Sequence, residues 1–297
     1  MTSTVSYSER IDFLRNAIKE ADHIIIGAGS GLSTAAGLDY AGEDFRQFFA
    51  DDIKKYGHTD LYTAGFYHYA TAEEYWAHWA KHIWFCRYRT GALPLYKTLR
   101  SILSSENRMQ NDATNAESEK QKTKLFIVTT NVDGQFELAG FQKENIFATQ
   151  GDYSRFQPVS GVPKITWSNR RWVEQVLPLI DDCCIPTNMI PFAEDGQPAA
   201  LNLRVDDHFV EDDHWHRQAK RYTDFVEQAS QGKLLLLEFG IGYNTPGIIR
   251  LPFEQMAQRI PGTTLVRFNR DNPEAFLNDM PRFVAFTEEI GTIVESL

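Results

Sequence analysis

The sequence predicts an α/β fold: a doubly wound parallel sheet with a smaller inserted module of helices and irregular chain. Three observations predict it. Four short apolar runs, at His23 to Ile26, Lys124 to Thr130, Lys233 to Phe239 and Thr264 to Phe268, have the length and leucine- or isoleucine-rich make-up of strands buried on both faces. Helical patterns lie between them, as crossovers between parallel strands require. Each run ends in glycines or short polar side chains, as the open carboxyl edge of such a sheet does.

The elements follow in order. Residues 8–20 (SERIDFLRNAIKE) set Ile11, Leu14 and Ile18 at helical spacing. The first strand breaks into Gly27-Ala28-Gly29-Ser30-Gly31, and a helix resumes near Ser33 to Ala36. Residues 43–100 are mostly helical and aromatic. There Thr71 and Glu74 have capping-box spacing, and Tyr75, Trp76, Trp79, Ile83 and Trp84 form a stripe that reads as core. Residues 104–123 are polar and read as a flexible surface loop. Residues 152–210 hold Pro158, Pro163, Pro178, Pro186, Pro191 and Pro198 with little periodicity, and read as an irregular insertion. The sheet part is thus expected at about 8–42, 91–151 and 211–297, and the small module at about 43–90 and 152–210.

Composition bounds the function. With 30 basic and 40 acidic residues the formal charge is −10, a surface that repels phosphate backbones and disfavours a nucleic-acid partner. No stretch reaches the roughly 20 apolar residues of a membrane span. Met1 to Arg10 carries no secretion-signal pattern. Three cysteines, Cys86, Cys183 and Cys184, make no disulfide framework, and the expectation is an intracellular, cytoplasmic protein.

The strand ends carry the chemistry. Gly27 and Gly29 permit positive φ and close backbone approach to an anion, and the helix after Gly31 offers free N–H groups. No acidic residue at the end of a second strand lies about 20 positions on, so the ordinary dehydrogenase fingerprint is absent. Thr130 is followed by Asn131-Val132-Asp133-Gly134, Phe239 by Gly240-Ile241-Gly242, and Phe268 by Asn269-Arg270-Asp271. Thr245-Pro246 reads as an N-cap and first helical residue. Taken singly, each has a plain alternative: a tight connection, an Asn-x-Asp turn or a capped helix. His78 and His82, four apart, lack the glutamate of a zinc helix and read as core or surface. Asp212, Asp213, His214 and His216 read as a solvated helix start, and Cys86 as a buried small hydrophobe.

Together these segments resemble sirtuins. Gly29-Ser30-Gly31-Leu32-Ser33-Thr34-Ala35-Ala36-Gly37-Leu38 matches that family's glycine segment with unbroken spacing, Ser30 replacing an alanine. Thr130-Asn131-Val132-Asp133 resembles its QN(I/V)D motif, Ala139-Gly140 its trailing AG, Glu238 to Gly242 its GTS-type loop, and Phe268-Asn269-Arg270 its IN-x segment. Gln150-Gly151 stands where the family carries His-Gly. Asp39-Tyr40 replaces its P-D-F-R, with Phe45-Arg46 only after a gap, and the two CxxC pairs of its zinc ribbon are missing. Cys183 and Cys184 cannot make a four-cysteine site, so no zinc is expected. The combination resembles the class M, macrodomain-linked sirtuins.

That resemblance implies a Rossmann-like sheet binding NAD, and transfer of ADP-ribose to protein rather than efficient deacylation. It implies a lipoyl-carrying acceptor such as a glycine-cleavage H-like protein, and a macrodomain hydrolase in the same pathway. Gly29, Ser30, Gly31, Ser33, Gly37, Gly240, Gly242, Asn269 and Arg270 are then the candidate cofactor contacts. Asp133 would hold the nicotinamide and its ribose, and Asn131 the ribose hydroxyls or an ordered water. The bond from ribose C1′ to nicotinamide breaks through a cationic state that a carboxylate and amides can stabilise. Gln150 discriminates between reactions. A histidine accepts a proton near neutrality and glutamine does not. General-base catalysis contributes about 100- to 10,000-fold, so weak or absent deacylation is expected. Residues 204–211 stand where the family's acceptor loop would be. The alternatives are a low-efficiency NAD-dependent deacylase and a non-enzymatic NAD or ADP-ribose sensor.

Overall fold

The computed structural model describes residues 5–103, 124–243, 245–278 and 280–297. The segment 104–123, read above as a surface loop, and Asn244 lie outside the described residues. Helix α1 (Tyr7–Glu20) opens on a full capping box between Ser6 and Glu9. Strand β1 (His23–Ala28) follows, then α2 (Ser30–Ala35). The strand continues through Gly27 and Ala28, beyond the expected break. Gly27 is needed there because a Cβ would collide with the side chains of Ile249 and Phe253.

Helices α3 (Glu43–Phe48), α4 (Ala50–Tyr56), α5 (Leu61–Ala64) and α6 (Ala72–Ile83) come next, and α6 widens into a π-helical turn over Trp84–Tyr88 before α7 (Pro94–Leu103). The rest runs β2 (Lys124–Thr129), α8 (Gln135–Leu138), β3 (Ile146–Ala148), β4 (Gly151–Pro158), β5 (Trp167–Ser168), α9 (Arg170–Val176), β6 (Ala199–Leu203), α10 (Asp213–Ala229), β7 (Leu234–Phe239), α11 (Arg250–Arg259), β8 (Thr264–Phe268), β9 (Phe283–Phe286) and α12 (Ile290–Glu295).

The main sheet has the order β3-β2-β1-β7-β8-β9, and every neighbouring pair is parallel. It is the expected α/β sheet, wider by β3 and β9, whose three and four residues are too short to show a strand pattern. The chain winds outward from β1 in one direction and from β7 in the other, so the topological switch lies between β1 and β7. Alternate side chains of β1 feed opposite layers. Ile24, Ile26 and Ala28 join α1, α7 and α12, while Ile25 joins α10 and α11.

The small module has its own core, in which Phe45, Phe49, Trp76, Trp79, Ile83, Phe85, Phe156 and Val173 are buried. The aromatic stripe of α6 is therefore core, with Tyr75 and Trp84 half-buried at its margin. Residues 152–210 are less irregular than expected: β4 pairs antiparallel with both β5 and β6. A register shift between Gly151 and Phe156 breaks the period-two alternation and hides the strand in the sequence.

Two local expectations are corrected. Thr71 Oγ1 accepts from Glu74 N at 3.2 Å, but the Glu74 carboxylate turns to Ala70 N, so the box is one-sided. Thr245-Pro246 does not start a helix: Leu251 N bonds Pro246 O at 2.9 Å across a wide turn, and α11 begins at Arg250. Among the described residues no helix is long and apolar enough to cross a membrane.

Candidate active site

At the switch point the glycines let backbones touch. Gly29 N donates to Phe239 O at 2.9 Å, Gly31 N to Gly240 O at 3.1 Å, and Gly240 N to Phe268 O at 2.9 Å. A Cβ on Gly31 would fall on Gly240, and Gly240 itself has φ +58. Neither Gly27 nor Gly29 adopts positive φ, so close approach rather than backbone handedness requires glycine there. The amides of Gly29 and Gly31 already serve protein carbonyls, and Ser30 is exposed at the rim. Gly37, at φ +98, ends α2, and Gly242 faces open space.

Beneath that rim lies a buried polar network. Ser33 Oγ donates to Asp133 Oδ2 at 2.5 Å and lies 2.9 Å from Tyr96 Oη. Asn131 Nδ2 donates to Gly29 O at 2.9 Å and to Ser33 Oγ at 3.1 Å. Thr129 Oγ1 accepts from Asn131 N at 3.0 Å, and Asp133 Oδ1 from Gln135 N at 2.9 Å. The turn thus presents Asn131 and Asp133 at the carboxyl end of β2, beside the glycines after β1. Burial pushes the Asp133 carboxyl above the usual aspartate range; the bonds from Ser33 and Gln135 and the charge of Arg87 pull the other way.

Gln150 occupies the next turn, between β3 and β4, and does not hydrogen-bond to this network. Its main-chain carbonyl accepts from Arg204 N at 3.0 Å. Its amide oxygen is enclosed without a partner, so a donor is called for there. Tyr153 N bonds Val132 O at 2.9 Å and ties this strand to the Asn131–Asp133 turn. A cavity of about 490 Å³ opens between the two turns and the start of α10, lined among others by Asn131, Asp133, Gly151, Asp152 and Trp215. A second cavity, about 570 Å³, lies on the small module between Phe48, Trp84 and Leu177 and touches none of these residues.

On the far side of the switch, Asn269 Nδ2 donates to Ile241 O at 2.7 Å and joins the β8 loop to the β7 loop. Arg270 is exposed and paired with Asp271 at 3.2 Å and Glu289 at 3.1 Å, at the margin of the site. A fully buried ion network stands behind these loops. Arg267 makes a two-pronged pair with Glu238 at 2.8 and 2.9 Å and reaches Glu254 at 2.7 Å, while Arg250 holds the carbonyls of Asn272 and Glu274.

Sequence reasoning missed Tyr96, Thr129 and Arg87. Tyr96 left one signal: a tyrosine on the apolar face of a helix needs a partner for its hydroxyl. Other attractive residues keep their plain readings. His78 and His82 are buried in the aromatic core, His82 Nε2 lying 3.0 Å from Tyr153 Oη. Asp212 caps α10 by accepting from Trp215 N at 2.9 Å, and Cys86 is buried. Cys183 and Cys184 are unpaired on a tight turn, and among the described residues no metal-binding group of His, Cys, Asp and Glu is assembled. In the 204–211 segment, Arg204 pairs with Glu211 at 2.5 Å.

No protein-family model matches the chain. It is 30% identical over 289 residues to a protein ADP-ribosyltransferase of Staphylococcus aureus, covering 97% of this chain and 86% of that protein. It is 28% identical to a Fusarium oxysporum protein named "Probable bifunctional ADP-ribose hydrolase/ADP-ribosyltransferase", covering 90% of this chain but 43% of that longer protein. Among solved structures it is similar to Sir2Tm bound to a propionylated peptide, at TM-score 0.56, 14% identity and 96% coverage of both chains. It is also similar to a Sir2–p53 peptide–NAD+ complex, at TM-score 0.52, 13% identity and coverage of 96% and 95%.

Proposed function

The chain belongs to the protein ADP-ribosyltransferases built on the sirtuin fold, and we propose that it modifies a lipoyl-carrying protein, using NAD and releasing nicotinamide. NAD supplies an activated ribose carbon with nicotinamide as leaving group. The chain's residues fit it in one specific respect: the enclosed, partnerless amide oxygen of Gln150 suits a ribose hydroxyl as donor. Gly240, Gly242, Asn269 and the rim residues Ser30 and Arg270 are the candidates for holding the nucleotide end. Asn131 orients the ribose, and Asp133, kept in place by Ser33, stabilises positive charge developing beside it.

One observation carries the choice of transfer over deacylation. The buried Ser33–Asn131–Asp133 network stands at the strand ends, whereas the adjoining turn bears Gln150, which cannot take up a proton. An acceptor that brings its own nucleophile, such as a carboxylate, does not need that proton transfer. The lipoylated acceptor rests on the sequence resemblance to class M sirtuins. The fungal relative's name joins an ADP-ribose hydrolase to a transferase, which supports a hydrolase acting in the same pathway; that this hydrolase is a macrodomain rests on the sequence resemblance.

The test incubates the protein with NAD and either a lipoylated carrier protein or acyl-lysine peptides, with mass spectrometry and nicotinamide release as readouts. A mass gain of one ADP-ribose on the carrier is expected. Deacylation without carrier modification would replace this reading by an NAD-dependent deacylase. Nucleotide binding without nicotinamide release would replace it by a sensor.

A further inference from the structure

We propose that Arg87 is a positioning residue of the transfer reaction, one buried guanidinium that sets the turn carrying Asn131 and Asp133 against the turn carrying Gln150; this rests on the function proposed above. Arg87 is 7% exposed and lies in the π-helical turn that ends α6, where Arg89 N reaches back to Trp84 O at 2.7 Å. Such turns insert a residue and rotate the side chains after it, and they are frequent at functional sites. Phe85, Cys86 and Arg87 are all buried in succession, as Trp76 to Ala80 are earlier in α6, so this helix is enclosed on most sides and carries the arginine into the interior.

The guanidinium meets both turns. Its Nε donates to Asp152 Oδ1 at 3.3 Å, two residues after Gln150, and Nη2 to Glu137 Oε2 at 3.5 Å, four after Asp133. It also packs on Gly134, the residue directly after Asp133, whose φ is +69 and whose absent Cβ would occupy the position of the guanidinium. Asp152 is itself oriented by Ser154 N at 2.6 Å, and Glu137 by Lys143 at 2.6 Å. The partners are therefore held from outside, and the arginine spans the gap between them.

Both arginine bonds are longer than the usual 2.7–2.9 Å of charge-assisted pairs. Asp152 and Glu137 keep 26% and 35% exposure, so losing Arg87 leaves neither carboxylate stranded in the interior. The main-chain bond from Tyr153 to Val132 still joins the turns. Removing the guanidinium thus changes the placement of Asp133 and Gln150 more than the stability of the fold. Its positive charge also opposes the upward push that burial gives the Asp133 carboxyl.

The test measures kcat and KM for NAD by nicotinamide release, with thermal midpoints, for the full chain and for Arg87→Ala, Arg87→Lys and Asp152→Asn. Arg87→Ala is expected to lower kcat about 100-fold while KM for NAD moves less than about threefold, the signature of misplacement by about an ångström. Millimolar guanidinium should restore at least about tenfold of that loss, and Arg87→Lys should stay about tenfold below wild type, because a point charge lacks the fork. Unchanged kcat in Arg87→Ala overturns the inference. So does a loss that guanidinium does not rescue and that tracks a collapsed thermal midpoint. If Arg87→Ala fails to fold, Asp152→Asn decides: a folded variant with kcat about tenfold down supports the role, and unchanged kcat overturns it. A wild type that releases no nicotinamide overturns the function reading and this inference with it, whereas an active wild type with indifferent variants overturns this inference alone.

Discussion

Ser33 and Asp133, 100 residues apart in the chain, share a 2.5 Å hydrogen bond in which the serine hydroxyl donates to the carboxylate. The bond joins the helix after β1 to the turn after β2. Ser33 is also within 3.1 Å of the Asn131 amide and 2.9 Å of the Tyr96 hydroxyl, so one serine oxygen centres the candidate site. Ser33→Ala is expected to cut nicotinamide release about 10- to 100-fold, by loosening Asp133 and leaving Asn131 short of a partner. Steady-state kinetics check this. Tyr96→Phe, which removes only the outer member, should cost less.

Asp133 links activity to stability with opposite signs. Burial raises its carboxyl above the ordinary value near 3.8. For an acid raised in the folded state, the stabilisation is full below the unfolded value and lost as pH rises through the folded value. At neutral pH, above the ordinary aspartate value, the raised carboxyl therefore costs the wild type stability. Asp133→Asn is expected to abolish transfer yet raise the thermal midpoint at pH 7, with the gain vanishing as pH falls below about 4. A midpoint lowered at pH 7 would contradict this account.

Gln150 distinguishes the two reactions. Gln150→Ala should lower ADP-ribosyl transfer at least about tenfold, because the amide that would meet the ribose is removed. Gln150→His should raise deacylation above the wild-type level, within the roughly 100- to 10,000-fold range a general base contributes. Parallel assays on acyl-lysine peptides and the carrier protein read both.

The buried ion network behind the β7 and β8 loops is a stability element. Arg267 serves Glu238 and Glu254, all three with fully buried side chains. Arg267→Met leaves Glu238 without its ion-pair partner and Glu254 with only Arg250 at 3.9 Å, and is expected to destabilise by roughly 3–5 kcal/mol. Chemical denaturation measures the change. The loss should exceed that of any single exposed pair, such as Lys220–Asp224, which contributes well under about 1 kcal/mol.

Acid should weaken the small module. Burial lowers the pKa of His82, and likewise of His78 and His58, from the ordinary 6.5. A base lowered in the folded state keeps its full stabilisation above the unfolded value and loses it as pH falls toward the folded one. The thermal midpoint is therefore expected to drop between about pH 7 and pH 5. His82→Gln, which has no proton to gain, should flatten that slope.

Most of what was legible in the sequence was local. Strand runs such as Leu234–Phe239 show as unbroken apolar stretches because both faces of the sheet are covered. The glycines at 29, 31 and 240 show because only a missing side chain permits the backbone contacts made there. Asn131 and Asp133 stood out at the end of such a strand, and Gln150 only through the family resemblance, where Gln-Gly replaces His-Gly. β3, β9 and the bulged β4 did not, since three residues or a register shift leave no period to read.

Sequence by itself determined the parallel sheet, four of its strands and the polar residues at their ends, because those depend on spacing along a few consecutive residues. Tertiary structure alone decided which of them meet. It brought Tyr96 and Ser33 onto Asp133, turned Arg87 inward through a widened helical turn, enclosed the Gln150 amide and left Arg270 at the exposed margin. The reason is physical: burial, desolvation and hydrogen bonding between residues tens of positions apart depend on how whole layers pack, and no local pattern encodes that.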